Sequence, residues 1–235
     1  MINADADRMM RAVAPLAAVA DGMPIEILSD GEFITLTAVN EAHVHIIRAS
    51  VRAEAEKAKL CAAPEMIVNA LRDMAGGGML SVSYDPDARK VCLEGEHGKR
   101  SFKTIFKGRD IKIPELHEME AGQVSLGFLQ HIPMLSRIDG TVAVSTDNNK
   151  IFIETAGDLE EGIHWAPIGI SSRTRNEYPA GLLSDLIGKI RLDRTKDDED
   201  RPSITVRLAD DYPMKLEWTA DGVGFEYYIA PRIRA

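Results

Sequence analysis

Cysteine is scarce in this chain: Cys61 and Cys92 are the only two among 235 residues, and they form no CxxC pair. Two thiols exclude a disulfide framework and fit a reducing compartment. Long apolar runs are also missing. No stretch approaches the ~20 apolar residues that span a bilayer, so no membrane association is expected. Met1-Ile-Asn-Ala-Asp-Ala-Asp places no basic segment before an apolar stretch, which argues against a secretory leader. Positive charge is in deficit, since 28 Lys and Arg against 37 Asp and Glu leave a formal charge of −9. Over the whole surface this disfavours nucleic acid, whose affinity for proteins rests on Lys and Arg neutralising phosphates. Net charge says nothing of single faces, however, and an acidic protein can carry a basic inner surface. The expectation is an intracellular protein.

The signatures of catalysis are thin. Gly76-Gly-Gly78 lacks the Lys-Ser/Thr of a phosphate-binding loop and follows a helix instead of opening one, so it reads as a helix stop. Ser136, Ser171 and Ser172 have no partner arrangement for nucleophilic attack. His43-Val-His45 puts two imidazoles on alternate strand positions, and a metal-dependent hydrolase would need them. No Cys or His at zinc spacing accompanies the pair. No active site, metal or cofactor is expected.

What the chain does have is internal repetition. Pro15-Leu-Ala-Ala-Val-Ala-Asp21-Gly22 has a counterpart 118 residues on, Pro133-Met-Leu-Ser-Arg-Ile-Asp139-Gly140. Pro64-Glu-Met-Ile-Val-Asn-Ala-Leu is echoed by Pro179-Ala-Gly-Leu-Leu-Ser-Asp-Leu, 115 residues on, and proline suits a first helical turn. Around these helices the apolar alternation predicts strands over 25–28, 33–39, 44–51, 79–84, 90–94 and 101–107. In the second half it predicts 141–145, 151–155, 163–168, 204–208, 214–218 and 225–229. Turn signals such as Ser29-Asp-Gly, Tyr84-Asp-Pro, Asp147-Asn-Asn and Ala220-Asp-Gly separate them. Each half reads as strand, helix, three or more strands, helix, three strands, in antiparallel meanders. The expected fold is α+β in two similar domains, 1–107 and 123–235, with a connector over 108–122. The stretch Asp193–Pro202 reads as a solvated charged loop.

Helical spacing places Met9, Val13, Leu16 and Ala20 of the first helix toward a sheet, with Arg8 and Arg11 on the other side. The second turns Ile67, Val68, Leu71 and Met74 inward and leaves Asn69 and Arg72. The third turns in Phe128, Ile132, Leu135 and Ile138, opposite Gln130 and Arg137. The fourth turns in Leu183, Leu186, Ile187 and Ile190, with Lys189 and Arg191 near its end. Every helix thus shows a base outward, although Asp5, Asp7, Asp73 and Asp185 share that surface.

Four stretches resemble the proliferating cell nuclear antigen (PCNA) family of sliding clamps, as found in archaea and eukaryotes. Thr37-Ala-Val-Asn-Glu-Ala-His43-Val44 is similar to the family's Ala-Met-Asp-x-x-His-Val, and Asp211-Tyr212-Pro213 to its Asp-x-Pro strand start. Ile111-Lys-Ile-Pro114-Glu resembles the interdomain linker, and Tyr228-Ile-Ala-Pro231-Arg-Ile233 the family's Leu-Ala-Pro-Lys/Arg-Ile terminus.

The resemblance implies a DNA-clamp fold whose subunits close into a homotrimeric or heterotrimeric, pseudo-sixfold ring with helices lining the hole. Strands near 101–107 and 163–168 would pair between subunits. It implies a non-enzymatic processivity factor that encircles double-stranded DNA without reading sequence. The DNA-facing set would be Arg8, Arg11, Arg72, Arg137, Lys189 and Arg191; Asn69, Gln130 and Pro133 stand where other family bases are expected. A peptide pocket would comprise Val39, His43, Val44, Ile46, Ile113, Asp211, Pro213, Ala230, Pro231 and Ile233, with Val39 replacing the family's Met. Partners implied are DNA polymerase, clamp loader, flap endonuclease and DNA ligase, bound through PIP-box peptides. The setting implied is DNA replication and repair, cytoplasmic as in archaea rather than nuclear. The alternative is a specialised paralogue acting in a heterotrimer or in repair signalling.

Overall fold

The computed structural model describes residues 2–53, 56–74, 78–96, 98–105, 111–116, 119–130, 132, 140–156, 161–188, 190 and 203–232. By internal packing the chain divides into two compact units. One comprises Met1–Ile113 with Thr219–Glu226, the other Pro114–Trp218 with Tyr227–Ala235.

In the first unit, β1 (Ile2–Asp5) runs straight into α1 (Ala6–Ala20). Then follow β2 (Ile25–Ser29), β3 (Phe33–Val39), β4 (His45–Arg52) and β5 (Ala58–Ala62). Helix α2 (Pro64–Arg72) precedes β6 (Met79–Asp85), β7 (Lys90–Gly95) and β8 (Gly98–Lys103). The second unit repeats the plan with β9 (Ala121–Ser125), α3 (Leu126–Leu129), β10 (Thr141–Asp147), β11 (Lys150–Ala156) and β12 (Glu161–Pro167). Then come β13 (Thr174–Pro179), α4 (Ala180–Ile187), β14 (Ser203–Arg207), β15 (Met214–Ala220) and β16 (Val223–Ile229), of which Thr219–Glu226 group with the first unit.

The sheets carry the repeat more plainly than the sequence does. One runs β1-β6-β7-β8, and its counterpart β9-β14-β15-β16; another runs β5-β2-β3-β4, and its counterpart β13-β10-β11-β12. Adding eight to a strand number converts each half into the other. One difference matters. Strand β4 has β16 as its outer neighbour, and the Arg48 guanidinium donates to the Glu226 carboxylate at 2.9 Å there. The counterparts, β12 and β8, end their sheets.

Local chemistry explains the elements. β15 and β16 alternate buried and part-exposed residues, as a sheet with one covered face requires. In α1, Asp5 caps the N-terminus by accepting from the Arg8 amide at 3.0 Å, and Asp21 ends the helix in the left-handed region at φ 47°. Met9, Val13, Leu16 and Ala20 are buried, with Ala6 and Ala12 beside them. Burying a leucine such as Leu16 contributes about 1.5–3 kcal/mol. Pro15 sits inside this helix and offers no amide to the Arg11 carbonyl. Leu183, Leu186, Ile187 and Ile190 are all buried in the second unit.

Several expectations need correction. The strands β1, β5, β9 and β13 had no assigned range, and β9 begins at Ala121, inside the span expected as connector. Strand β8 covers 98–103, earlier than the expected 101–107, because backbone pairing with β7 needs no apolar alternation in Gly98-Lys-Arg. Pro179 ends β13 and caps α4; it does not occupy its first turn, unlike Pro64 in α2. Ala70 is buried in α2, where Val68 was expected and is only half-buried. Leu135, Ile138 and the 193–202 loop lie outside the described residues. Among the described residues no helix is long and apolar enough to cross a membrane.

Candidate functional site

The outer side of α1 carries Arg8 and Arg11, and both lean on the two-residue turn between β15 and β16. The Arg11 guanidinium pairs with the Asp221 carboxylate, with both side chains about half exposed. The Arg8 guanidinium carbon lies 3.3 Å from where a Cβ on Gly222 would stand, so the arginine rests against the turn. Gly222 also has φ 76°, which glycine adopts without strain. On α2, Arg72 is exposed in the last turn, where a cation complements the helix dipole, and the adjacent Asp73 pairs with Arg100 at 2.8 Å. Asp7 and Glu65 are exposed on the same helices, and Asp185 is exposed on α4. Arg137, Lys189 and Arg191 lie outside the described residues. The described helix faces therefore mix three arginines with several carboxylates.

The residues of the expected peptide pocket fall into both units. In the first, the turn from Asn40 to His45 is built by Asn40, whose side-chain oxygen accepts from the Val44 and His45 amides at 3.0 and 3.1 Å. His43 takes φ 57° and projects exposed, Val44 and Ile113 are half-buried, and Val39 and Ile46 are buried. In the second unit, Asp211 takes φ 60°, and its amide donates to the side chain of Asn176 at 3.0 Å. Asn176, buried on β13, also donates to the Ala209 carbonyl at 2.7 Å. The Arg175 amide donates to Asp210 at 2.8 Å, and the Arg232 amide to the Glu177 carbonyl at 2.7 Å. These bonds hold 209–211 and 232 beside β13. Sequence reading missed Asn176, and no motif marks it. Pro213, Ala230 and Pro231 are half-buried. Ile233 lies outside the described residues.

A cleft of about 370 Å³ opens beside β13. Arg173, Arg175 and Arg232 line it with Glu177, Asp210 and Asp211, so its formal charges cancel. His45 is buried, and desolvation lowers its imidazole to about 4, leaving it neutral near pH 7. Among the described residues no cluster of three or more His, Cys, Asp or Glu could hold a metal.

The end strand β12 exposes Ile163 (67 %) and Trp165 (58 %), and the Lys150 ammonium lies 4.2 Å over the indole. On the end strand β8 every side chain but Phe102 is exposed. Large apolar groups on an open strand edge are unusual, because such edges pair readily with another chain.

No protein-family model matches this sequence, and no curated protein does either. Solved structures do match. The proliferating cellular nuclear antigen of Entamoeba histolytica superposes with a TM-score of 0.79 at 15% identity, over 99% of each chain. The PCNA of A. fulgidus, in a structure with the C-terminal region of FEN-1 bound, gives 0.79 at 16% identity over 100% of both chains. The chain has the α+β fold of these clamps along its whole length.

Proposed function

We propose that this chain is one subunit of a sliding clamp: a trimeric ring that encircles duplex DNA and tethers other proteins to it without catalysing a reaction. The carrying observation is the broken symmetry of the sheets. Strand β4 pairs with β16 within the chain, while the equivalent pair, β12 and β8, has no neighbour on its outer side among the described residues. Pairing β8 of one copy with β12 of the next would repeat the β16–β4 junction between subunits. That contact is heterologous, and it closes only if the rotation per subunit divides a full turn. Exposed Ile163 and Trp165 would then be covered.

The DNA-facing residues proposed are Arg8, Arg11, Arg72, Arg137, Lys189 and Arg191. Contacts of this kind go to phosphates and not to base edges, so binding would be weak, salt-dependent and free to slide. Retention would come from closure. Partner proteins would dock short peptides on the apolar Val44, Ile113, Pro213, Ala230 and Pro231, with the His43 imidazole beside them. The A. fulgidus clamp carries a FEN-1 segment, and flap endonucleases, polymerases, ligases and clamp loaders are the partners proposed here. The setting is intracellular and DNA-associated.

Light scattering tests the reading: a species of three 25.8 kDa subunits is expected at micromolar concentration. A persistent monomer, even with candidate partner subunits added, would overturn it. The mixed charge of the described helix faces favours a second reading, a paralogue that closes a ring only beside different subunits. A homotrimer that stimulates a replicative polymerase would remove that alternative.

A further inference from the structure

Both arginines of α1 meet the same turn, and that turn is acidic at its first position. Asp221 and Gly222 have φ 51° and 76°, the positive values that a two-residue type I′ hairpin turn requires at both positions. Gly222 is accounted for by its backbone and by Arg8 lying against it. The geometry of the turn does not by itself require the charge of Asp221. Asparagine adopts the left-handed region as readily, and Asn-Gly serves this turn type at least as well. A carboxylate therefore stands on Arg11 where a neutral amide would have built the same hairpin.

We propose that Asp221 is a built-in counterion for Arg11, which duplex phosphates must displace before that arginine can contact DNA. The proposal rests on the clamp reading above and adds a control on its DNA contact. Both partners are about half exposed, so a phosphate can reach the guanidinium and salt screens the pair. Exposed ion pairs are weak, so the exchange is reversible. Arg11 is one of three arginines on the described outer faces of α1 and α2. Its neutralisation removes one of those three arginine charges from the set offered to DNA. A ring held by closure gains from this, since strong phosphate contacts would slow sliding.

The test uses the full-length assembled protein and a short fluorescent duplex, with binding read by anisotropy over a salt series. Asp221→Asn keeps the turn and removes the charge. It is expected to bind about two- to fivefold tighter at low salt. The plot of log K against log salt should steepen by up to about 0.9 for each phosphate newly contacted. Asp221→Gly, equally at home at positive φ, should show the same gain, which guards against an effect peculiar to the amide. In an Arg11→Gln background the gain should vanish. Unchanged affinity in Asp221→Asn, or a gain that persists without Arg11, overturns the proposal; the second outcome would mean that one fewer negative charge acts at long range. If trimers form but neither wild type nor Asp221→Asn binds duplex at low salt, the DNA reading itself fails and the counterion role with it.

Discussion

His45 opens β4 with 3 % of its surface exposed, two residues after the projecting His43. Burial holds its imidazole at about 4, against 6.5 in the unfolded chain. Between those values the unfolded state binds the extra proton and the native state does not, so stability rises with pH. The stabilisation is complete above about pH 6.5 and is lost as pH falls toward 4. The slope reaches about 1.4 kcal/mol per pH unit at most. Urea midpoints of wild type and His45→Phe, compared at pH 7 and 5.2, check this. The wild type should lose more on acidification; equal losses would mean that this imidazole is solvated in the native state. Carboxylates held low, such as Glu120 with its bonds from Ser171 and Ser172, lose their contribution only at more acidic pH. The pair His43-Val-His45 was legible as residues but ambiguous as chemistry. Only the fold separates the exposed ring from the buried one, because strand alternation alone places both on one face.

Elements that alternate strongly in the sequence, such as β3, β10 and β16, were legible. Those that pair without alternating were not. Strand β13, Thr174-Arg-Asn-Glu-Tyr-Pro, buries Thr174, Asn176 and Tyr178, so two of its three inward residues are polar and hide the period. Strand β9, Ala121-Gly-Gln-Val-Ser, has no bulk to show. Its Gly122 backbone lies so close to Ile168 that an added Cβ would stand 2.2 Å from the Ile168 carbonyl oxygen. Beside it, the Glu120 carboxylate accepts from the Ser171 amide at 2.6 Å and from its hydroxyl at 2.9 Å. Gly122→Ala must therefore push two backbone segments apart, at a cost of about 3 kcal/mol. Chemical denaturation measures this, and a loss below about 1 kcal/mol would contradict the close approach. No composition rule finds such a site, since the constraint comes from a segment 46 residues away (168 minus 122).

At the scale of the whole molecule, the repeat was visible as two helix echoes and became a strand-by-strand correspondence, over the sixteen strands of the described residues, only in the sheets. The resemblance placed the pairing edges near the strands that end the sheets. Nothing in the sequence marks an open edge, because whether a strand has a second neighbour is a property of topology. Ile163→Asp with Trp165→Asp should convert the proposed trimers to monomers without unfolding the chain, since both side chains are already in water in one copy. Sedimentation velocity reads the outcome, and an undiminished trimer would exclude this edge from the contact. Separately, on the proposed reading, Ile113→Ala with Pro231→Ala should weaken binding of a PIP-type peptide at least tenfold while the proposed trimer persists. Titration calorimetry decides it; unchanged affinity would remove these two side chains from the peptide surface.

Residues 219–226 group with the first unit although they come near the end of the chain. Glu226, the partner of Arg48, is among them. A ribosome must therefore synthesise Pro114–Trp218 of the second unit before the first unit can be completed. Until then β4 lacks the strand that covers its outer edge, and the nascent chain must keep that edge from pairing with a neighbour on the same polysome. For this protein, translation order and folding order cannot coincide.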